Sequence, residues 1–87
     1  MKLVYKGVNP KTNRVEWYDE DAELQMEEWV VVRYRSFVEA VEPLLGRKLT
    51  REEYRTINWL CGFEEHSVHN ILRLIKEAYQ SGTKQKD

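Results

Sequence analysis

The sequence has a single cysteine, Cys61, which excludes an intramolecular disulfide and fits a reducing compartment. It has no long apolar run. The longest, residues 29–32, is four residues, against the roughly 20 that span a bilayer. Residues 1–6 hold no apolar core of signal-peptide length, so a cytoplasmic location with no membrane contact is expected. The four glycines are isolated, which excludes a Gly-rich phosphate loop, and neither a CxxC nor an HExxH pair occurs. Internal repeats and low-complexity stretches are also missing. The net charge is only −1, so the chain as a whole has no strong pull on nucleic acid.

What remains is a chain of 87 residues, 41% apolar and 33% charged, which is the composition of a small soluble globular domain. A chain of this size buries only about 60% of its unfolded surface, so one modest core is expected. The charge is strongly partitioned. Residues 1–15 carry Lys2, Lys6, Lys11 and Arg14 with no acid, and residues 16–28 carry seven acids and no base. Residues 33–55 return to a basic excess through Arg33, Arg35, Arg47, Lys48, Arg51 and Arg55. Solvated faces and internal pairing account for such blocks; a local patch for phosphate or for an acidic protein is the sharper alternative.

The clearest stretch is 49–82, which reads as helix, tight turn, helix. Thr50-Arg51-Glu52-Glu53 is a capping box, in which Thr50 and Glu53 satisfy each other's free amides. Tyr54, Ile57, Leu60 and Cys61 then share one face. Gly62 is expected to stop the helix in the left-handed conformation. Val68, Ile71, Leu72, Ile75, Ala78 and Tyr79 form a second helical stripe that ends before Gly82, with a polar, frayed tail to follow, 83–87.

Upstream, residues 2–8 and 14–18 read as a β-hairpin around the turn Asn9-Pro10-Lys11-Thr12-Asn13, in which Asn13 tolerates positive φ. Asp19-Glu20-Asp21 reads as a helix start, and Met26, Val30, Tyr34, Phe37, Val38, Val41 and Leu45 as the stripe of one long helix over 21–42, closed by Pro43. The alternative is a third strand at 28–34, since Trp29-Val30-Val31-Val32 is largely β-branched, with a helix from 37. The fold class is therefore α+β: an N-terminal hairpin, 1–18, then a three-helix bundle within one domain. Its expected core is Met26, Val30, Tyr34, Phe37, Val41, Leu45, Tyr54, Ile57, Leu60, Val68, Ile71, Leu72 and Ile75.

Chemistry is sparse. Cys61, Glu65, His66 and His69 alone have metal-like spacing, but Cys61 stands across a turn from the histidines, and a site needs three or four convergent ligands. Ser67 has histidine neighbours but no orienting acid or oxyanion loop. No catalytic residue, metal or cofactor is expected, and the protein is read as non-enzymatic. Binding is better represented. Arg47, Lys48, Arg51 and Arg55 are the candidate nucleic-acid contacts, Arg51 and Arg55 sharing a helical face. Trp17, Trp29, Trp59, Asp19, Glu20 and Asp21 are the candidate contacts to a protein partner. In a recognition-helix reading His66, His69, Asn70 and Arg73 would face bases, but Glu64 and Glu65 at the same helix start repel phosphates. Leu3, Val4, Tyr5, Val15, Trp17 and Tyr18 make the hairpin apolar on both faces with open edges, which favours a homodimer.

One family shows a similar pattern. Phe37-x-x-x-Val41, Gly46, Leu49-Thr50-x-x-Glu53, Ile57-x-Trp59-Leu60, Gly62-Phe63, Val68-x-x-Ile71-x-x-Leu74 and Ala78 resemble the C-terminal domain of DnaD-type replication-initiation proteins over 37–82. The resemblance implies a compact helical domain with DNA- and partner-binding roles in primosome assembly and helicase loading, in phages and Gram-positive hosts. The family's DNA-binding motif, an aromatic, an aliphatic and a Trp beyond the last helix, has no counterpart in residues 80–87. Two functions are therefore expected: a DnaD-like replication accessory that contacts DNA or a replisome protein, or a phage-type inhibitor or adaptor that binds a host protein through its acidic and aromatic surface.

Overall fold

The computed structural model describes residues 1–84. The architecture is α+β, with a three-stranded antiparallel sheet followed by three helices. Strands β1 (Leu3–Asn9), β2 (Arg14–Asp19) and β3 (Leu24–Glu27) form a meander in that order. Helices α1 (Glu28–Leu45), α2 (Arg51–Cys61) and α3 (Glu65–Lys84) follow.

The hairpin forms where the sequence puts it. The Asn13 amide donates to the Asn9 carbonyl at 2.7 Å, and Asn13 takes φ 57°. Tyr5 pairs with Trp17 and Val4 with Tyr18, and the register slips between Tyr5 and Gly7. The third strand replaces the expected helix start. Asp19 does not cap a helix; its carboxyl accepts the Asp21 amide at 3.0 Å, which folds the chain into a turn. Glu23 completes that turn at φ 54°, and Leu24 to Glu27 pair back onto β2. The helix thus begins at Glu28, not at 21, and the extra strand lies at Leu24–Glu27, not at 28–34.

Helix α1 carries the core. Val31, Tyr34, Phe37, Val38 and Val41 are buried. Tyr34, Phe37, Val38 and Val41 are buried as expected, and the stripe differs only at its ends: Val31 is buried where Val30 is half-buried, and Leu45, 48% exposed, leaves the core. Pro43 does not end the helix. It sits in the last turn, where the amide it lacks costs one bond, and the helix closes at Gly46. Gly46 takes φ 70°, a left-handed cap whose amide donates to the Glu42 carbonyl at 3.0 Å.

The capping box opens α2 as expected, with Thr50 Oγ1 accepting the Glu53 amide at 3.2 Å and Glu53 Oε1 accepting the Thr50 amide at 2.8 Å. Gly62 is not left-handed; its φ is −76°. The helix ends in a tighter turn, Gly62 amide to Trp59 carbonyl at 3.1 Å, and a Cβ on Gly62 would lie 3.3 Å from that oxygen. Glycine fits there for want of space, not for its φ. Tyr54, Ile57 and Cys61 are buried, as is Leu49 before the cap. Helix α3 runs through Gly82 to Lys84, past the expected end. Of the tail expected to fray, 83–84 belong to α3 and 85–87 lie outside the described residues.

Val68 is the one fully buried position on the described part of α3; Leu60, Ile71, Leu72 and Ile75 are half-buried against the core. Ile71→Ala is therefore expected to cost about 1–2 kcal/mol, below the roughly 2–5 of a fully buried site. Urea denaturation checks this, and a loss beyond about 3 kcal/mol would mean that α3 packs more deeply.

The sheet's two faces differ. Leu3, Trp17 and Leu24 pack against the helical core. The other face carries polar pairs: Arg14 with Glu27 at 3.1 Å, Gln25 with Glu16 at 2.6 Å, and Lys6 over the Tyr18 ring at 5.4 Å. The expectation of two apolar faces is thus corrected. The edges are β1, flanked by Lys2 and Lys6 and kinked by its bulge, and β3.

Candidate functional site

Three of the four expected phosphate-binding cations are bound by the chain's own acids. Arg47 donates to both oxygens of Glu53, at 2.8 and 2.9 Å. That fork, followed by the Thr50 amide, holds the Glu53 carboxyl down at about 2. Lys48 lies 3.5 Å from Asp21, and Arg51 2.8 Å from Glu23. Arg55 alone has no hydrogen bond or ion pair among the described residues. The acidic and basic blocks of the sequence therefore meet: the β2–β3 turn lies against the start of α2.

Of the acids expected to face a partner, Asp19 is enclosed, Asp21 is half-buried and Glu20 is exposed. Asp19 is fully buried and accepts three bonds: from the Tyr34 hydroxyl at 2.6 Å, the Lys2 amide at 2.9 Å and the Asp21 amide. It has no surface to offer, and its place among the partner contacts is corrected. Glu20 pairs with Lys2 at 3.0 Å. Asp21 binds the Met1 amino group at 2.6 Å, and that bond, opposed by burial, draws its carboxyl below the usual range. The Met1 amino group also donates to the Tyr54 hydroxyl at 2.9 Å, which in turn donates to Glu42 Oε2 at 2.6 Å. The same Glu42 oxygen accepts the Leu49 amide at 2.9 Å. Burial pushes the Glu42 carboxyl up, but the Tyr54 and Leu49 donors outweigh it and leave it lowered.

The tryptophans divide. Trp17 is half-buried; its indole donates to Glu28 at 3.2 Å and its ring meets Tyr5 edge-on at 5.3 Å. Trp29 and Trp59 instead line one open groove of about 440 Å³ between β3, the start of α1 and the end of α2. Glu16, Gln25, Met26, Glu27, Val30, Asn58 and Gly62 complete its walls. Trp59 is 66% exposed, and Phe63 packs edge-on against it at 4.7 Å.

Arg33 fixes this arrangement. Its guanidinium lies 5.2 Å from the Trp29 ring centroid and donates to the Phe63 carbonyl at 2.6 Å, a carbonyl left free by the end of α2. It therefore ties the second turn of α1 to the α2–α3 turn and holds the aromatic residues in one geometry. On the β3 side, Glu16 accepts from the neutral amides of Gln25 and Asn9, and no cation among the described residues compensates it. A preformed, half-apolar groove with an uncompensated carboxylate at one wall suits a cationic side chain.

Trp29 and Trp59 stand out in the sequence; Phe63, Arg33 and Glu16 do not. Their signals are Trp29 with Arg33 and Trp59 with Phe63, both four residues apart. Elsewhere Cys61 is buried, its thiol pushed up to about 11 by burial, while His66 and His69 are exposed. Among the described residues no three His, Cys, Asp or Glu side chains converge as a metal site, and no helix is long and apolar enough to cross a membrane. No family model, curated protein or solved structure matches the chain.

Proposed function

We propose that the protein is a non-catalytic binding module that holds a basic segment of a partner protein in the Trp29–Trp59 groove. The observation that carries this reading is the exposed aromatic group Trp29, Trp59 and Phe63, made rigid by Arg33 and flanked by Glu16. Exposed aromatics held in place before binding lose little entropy on association and act as anchors. An inhibitor or adaptor of a host protein is the role such a module fits.

Titration with a synthetic arginine- and lysine-rich peptide, read by tryptophan fluorescence, tests it. Trp59→Ala is expected to weaken binding about 30-fold, the size of a 2 kcal/mol anchor, with little change in folding stability. Unchanged affinity in Trp59→Ala would remove the groove from the binding surface.

The second reading, a DnaD-like replication accessory that contacts DNA, is favoured by Arg55, which has no partner among the described residues and shares a face of α2 with Arg51. It calls for duplex affinity that falls linearly with log salt, with a slope that Arg51→Ala reduces by about one. Lack of binding to duplex DNA at low salt would remove it.

A further inference from the structure

Helix α3 changes character along its length. Up to Ile75 it packs on the body through Val68, Ile71, Leu72 and Ile75; from Lys76 to Gly82 every residue is exposed. The amphipathic pattern does not stop there. Ala78, Tyr79 and Gly82 continue the same stripe at helical spacing, beside Leu74, which is 59% exposed. Arg33 lies near Glu65, while Val41 and Leu45 share a hollow with Ile75. The helix therefore runs alongside α1 in the same direction and overshoots its end.

The hollow at that end is an apolar groove of about 560 Å³ floored by Phe37, Val41, Leu45, Leu49, Ile57 and Ile75. Its rim includes Glu52 and Glu53. Arg47 binds Glu53, but Glu52 has no cation among the described residues. The distal part of α3 offers the opposite sign through Lys76, which has no acid partner among the described residues, since Glu77 lies 4.0 Å from Arg73.

We propose that the groove is filled by the distal half of α3 from a second copy of this chain. The two α3 helices run antiparallel about a two-fold axis, and each lays its Ala78 face over the Leu45 side of the other's groove. Guest and host surfaces both lie on this chain, match in apolarity and oppose in charge, and a two-fold axis fills both grooves in one step. The pairing is independent of the Trp29–Trp59 groove at the other end of α1.

Light scattering on the full chain across a concentration series tests it. The mass should rise toward twice the chain mass of 10.5 kDa. Ala78→Lys and Leu45→Glu change exposed positions, so each should keep the fold by circular dichroism and weaken self-association about 100-fold. Mixed in equal amounts, the two variants should regain the dimer, because one of its two grooves then holds a Lys–Glu pair and the other is unaltered. A mass that stays at 10.5 kDa at high concentration would overturn the pairing. So would a dimer that survives both substitutions, or a mixture of the variants that stays monomeric.

Discussion

Asp19→Ala is expected to destabilise the protein by about 3–5 kcal/mol, the cost of emptying a buried polar site whose partners stay behind. The Asp19 side chain has no solvent exposure, and three donors converge on it. Alanine would strand the Tyr34 hydroxyl, which is itself buried, and release the Asp21 amide that shapes the β2–β3 turn. The same residue links the start of β1, through the Lys2 amide, to the middle of α1. Tyr34→Phe removes one donor and leaves the other two, so it should cost only about 1–2 kcal/mol. Urea denaturation of the two variants separates the effects. Equal losses would mean that the Tyr34 bond alone carries the site. Against a total stability of about 5 kcal/mol, the low end for such domains, a loss of this size leaves the alanine variant largely unfolded.

Alkaline titration should expose the second large effect. Tyr34 and Tyr54 are both buried, and burial raises their phenols above the ordinary value, followed by their bonds to the Asp19 and Glu42 carboxyls. Below about pH 10 the folded and unfolded chains both keep these protons, and the fold has its full advantage. Above that, the unfolded chain sheds protons that the folded chain retains. Stability then falls as pH rises, until the folded phenols themselves titrate. The slope is about 1.4 kcal/mol per pH unit for each tyrosine, or about 2.7 for the pair. Urea midpoints measured at steps from about pH 9 to 12 read it. Tyr54→Phe should halve the slope, and an unaltered slope would show that other groups set the alkaline limit. Tyrosinate absorbance adds a direct reading: two of the five tyrosines should resist titration until the protein unfolds.

Local rules made part of the fold legible. The Thr50–Glu53 box depends on four consecutive residues, and the Asn9–Asn13 turn on five; both stand where the sequence puts them. The helix pair after Gly46 follows from apolar spacing alone. The third strand did not follow, because Asp19 and Asp21 suit a helix start and a side-chain-stabilised turn equally. The choice between them fell to Tyr34 and Lys2, which reach Asp19 from 15 and 17 residues away. The exchange of Val30 for Val31 at the start of the α1 stripe has the same origin, since the sheet covers that end of α1. At the candidate site, Trp29 and Trp59 were visible as candidate partner contacts. That they share a groove was not visible, because the link is Arg33 reaching a main-chain carbonyl 30 residues away. Internal pairing of the charged blocks was legible as one reading; which acids meet Lys48 and Arg51 was not, because Asp21 and Glu23 lie on a turn that only the third strand creates.

The order of neighbours in this fold also bears on how it assembles. β1 pairs with β2, β2 with β3, and the helices follow in turn, so most associations join segments adjacent in sequence. Such chains close short loops first and fold quickly. Some links span much more of the chain, among them Arg33 to the Cys61 carbonyl across 28 residues and the Met1 amino group to the Tyr54 hydroxyl across 53. Closing the second loop directly would cost only about 0.6 kcal/mol more than closing the first, because the penalty grows with the logarithm of length. Once the sheet has joined β1 to the Asp19 turn, even that difference shrinks. The long link between the two ends of the core is then a late, inexpensive closure, and the sheet is what makes it so.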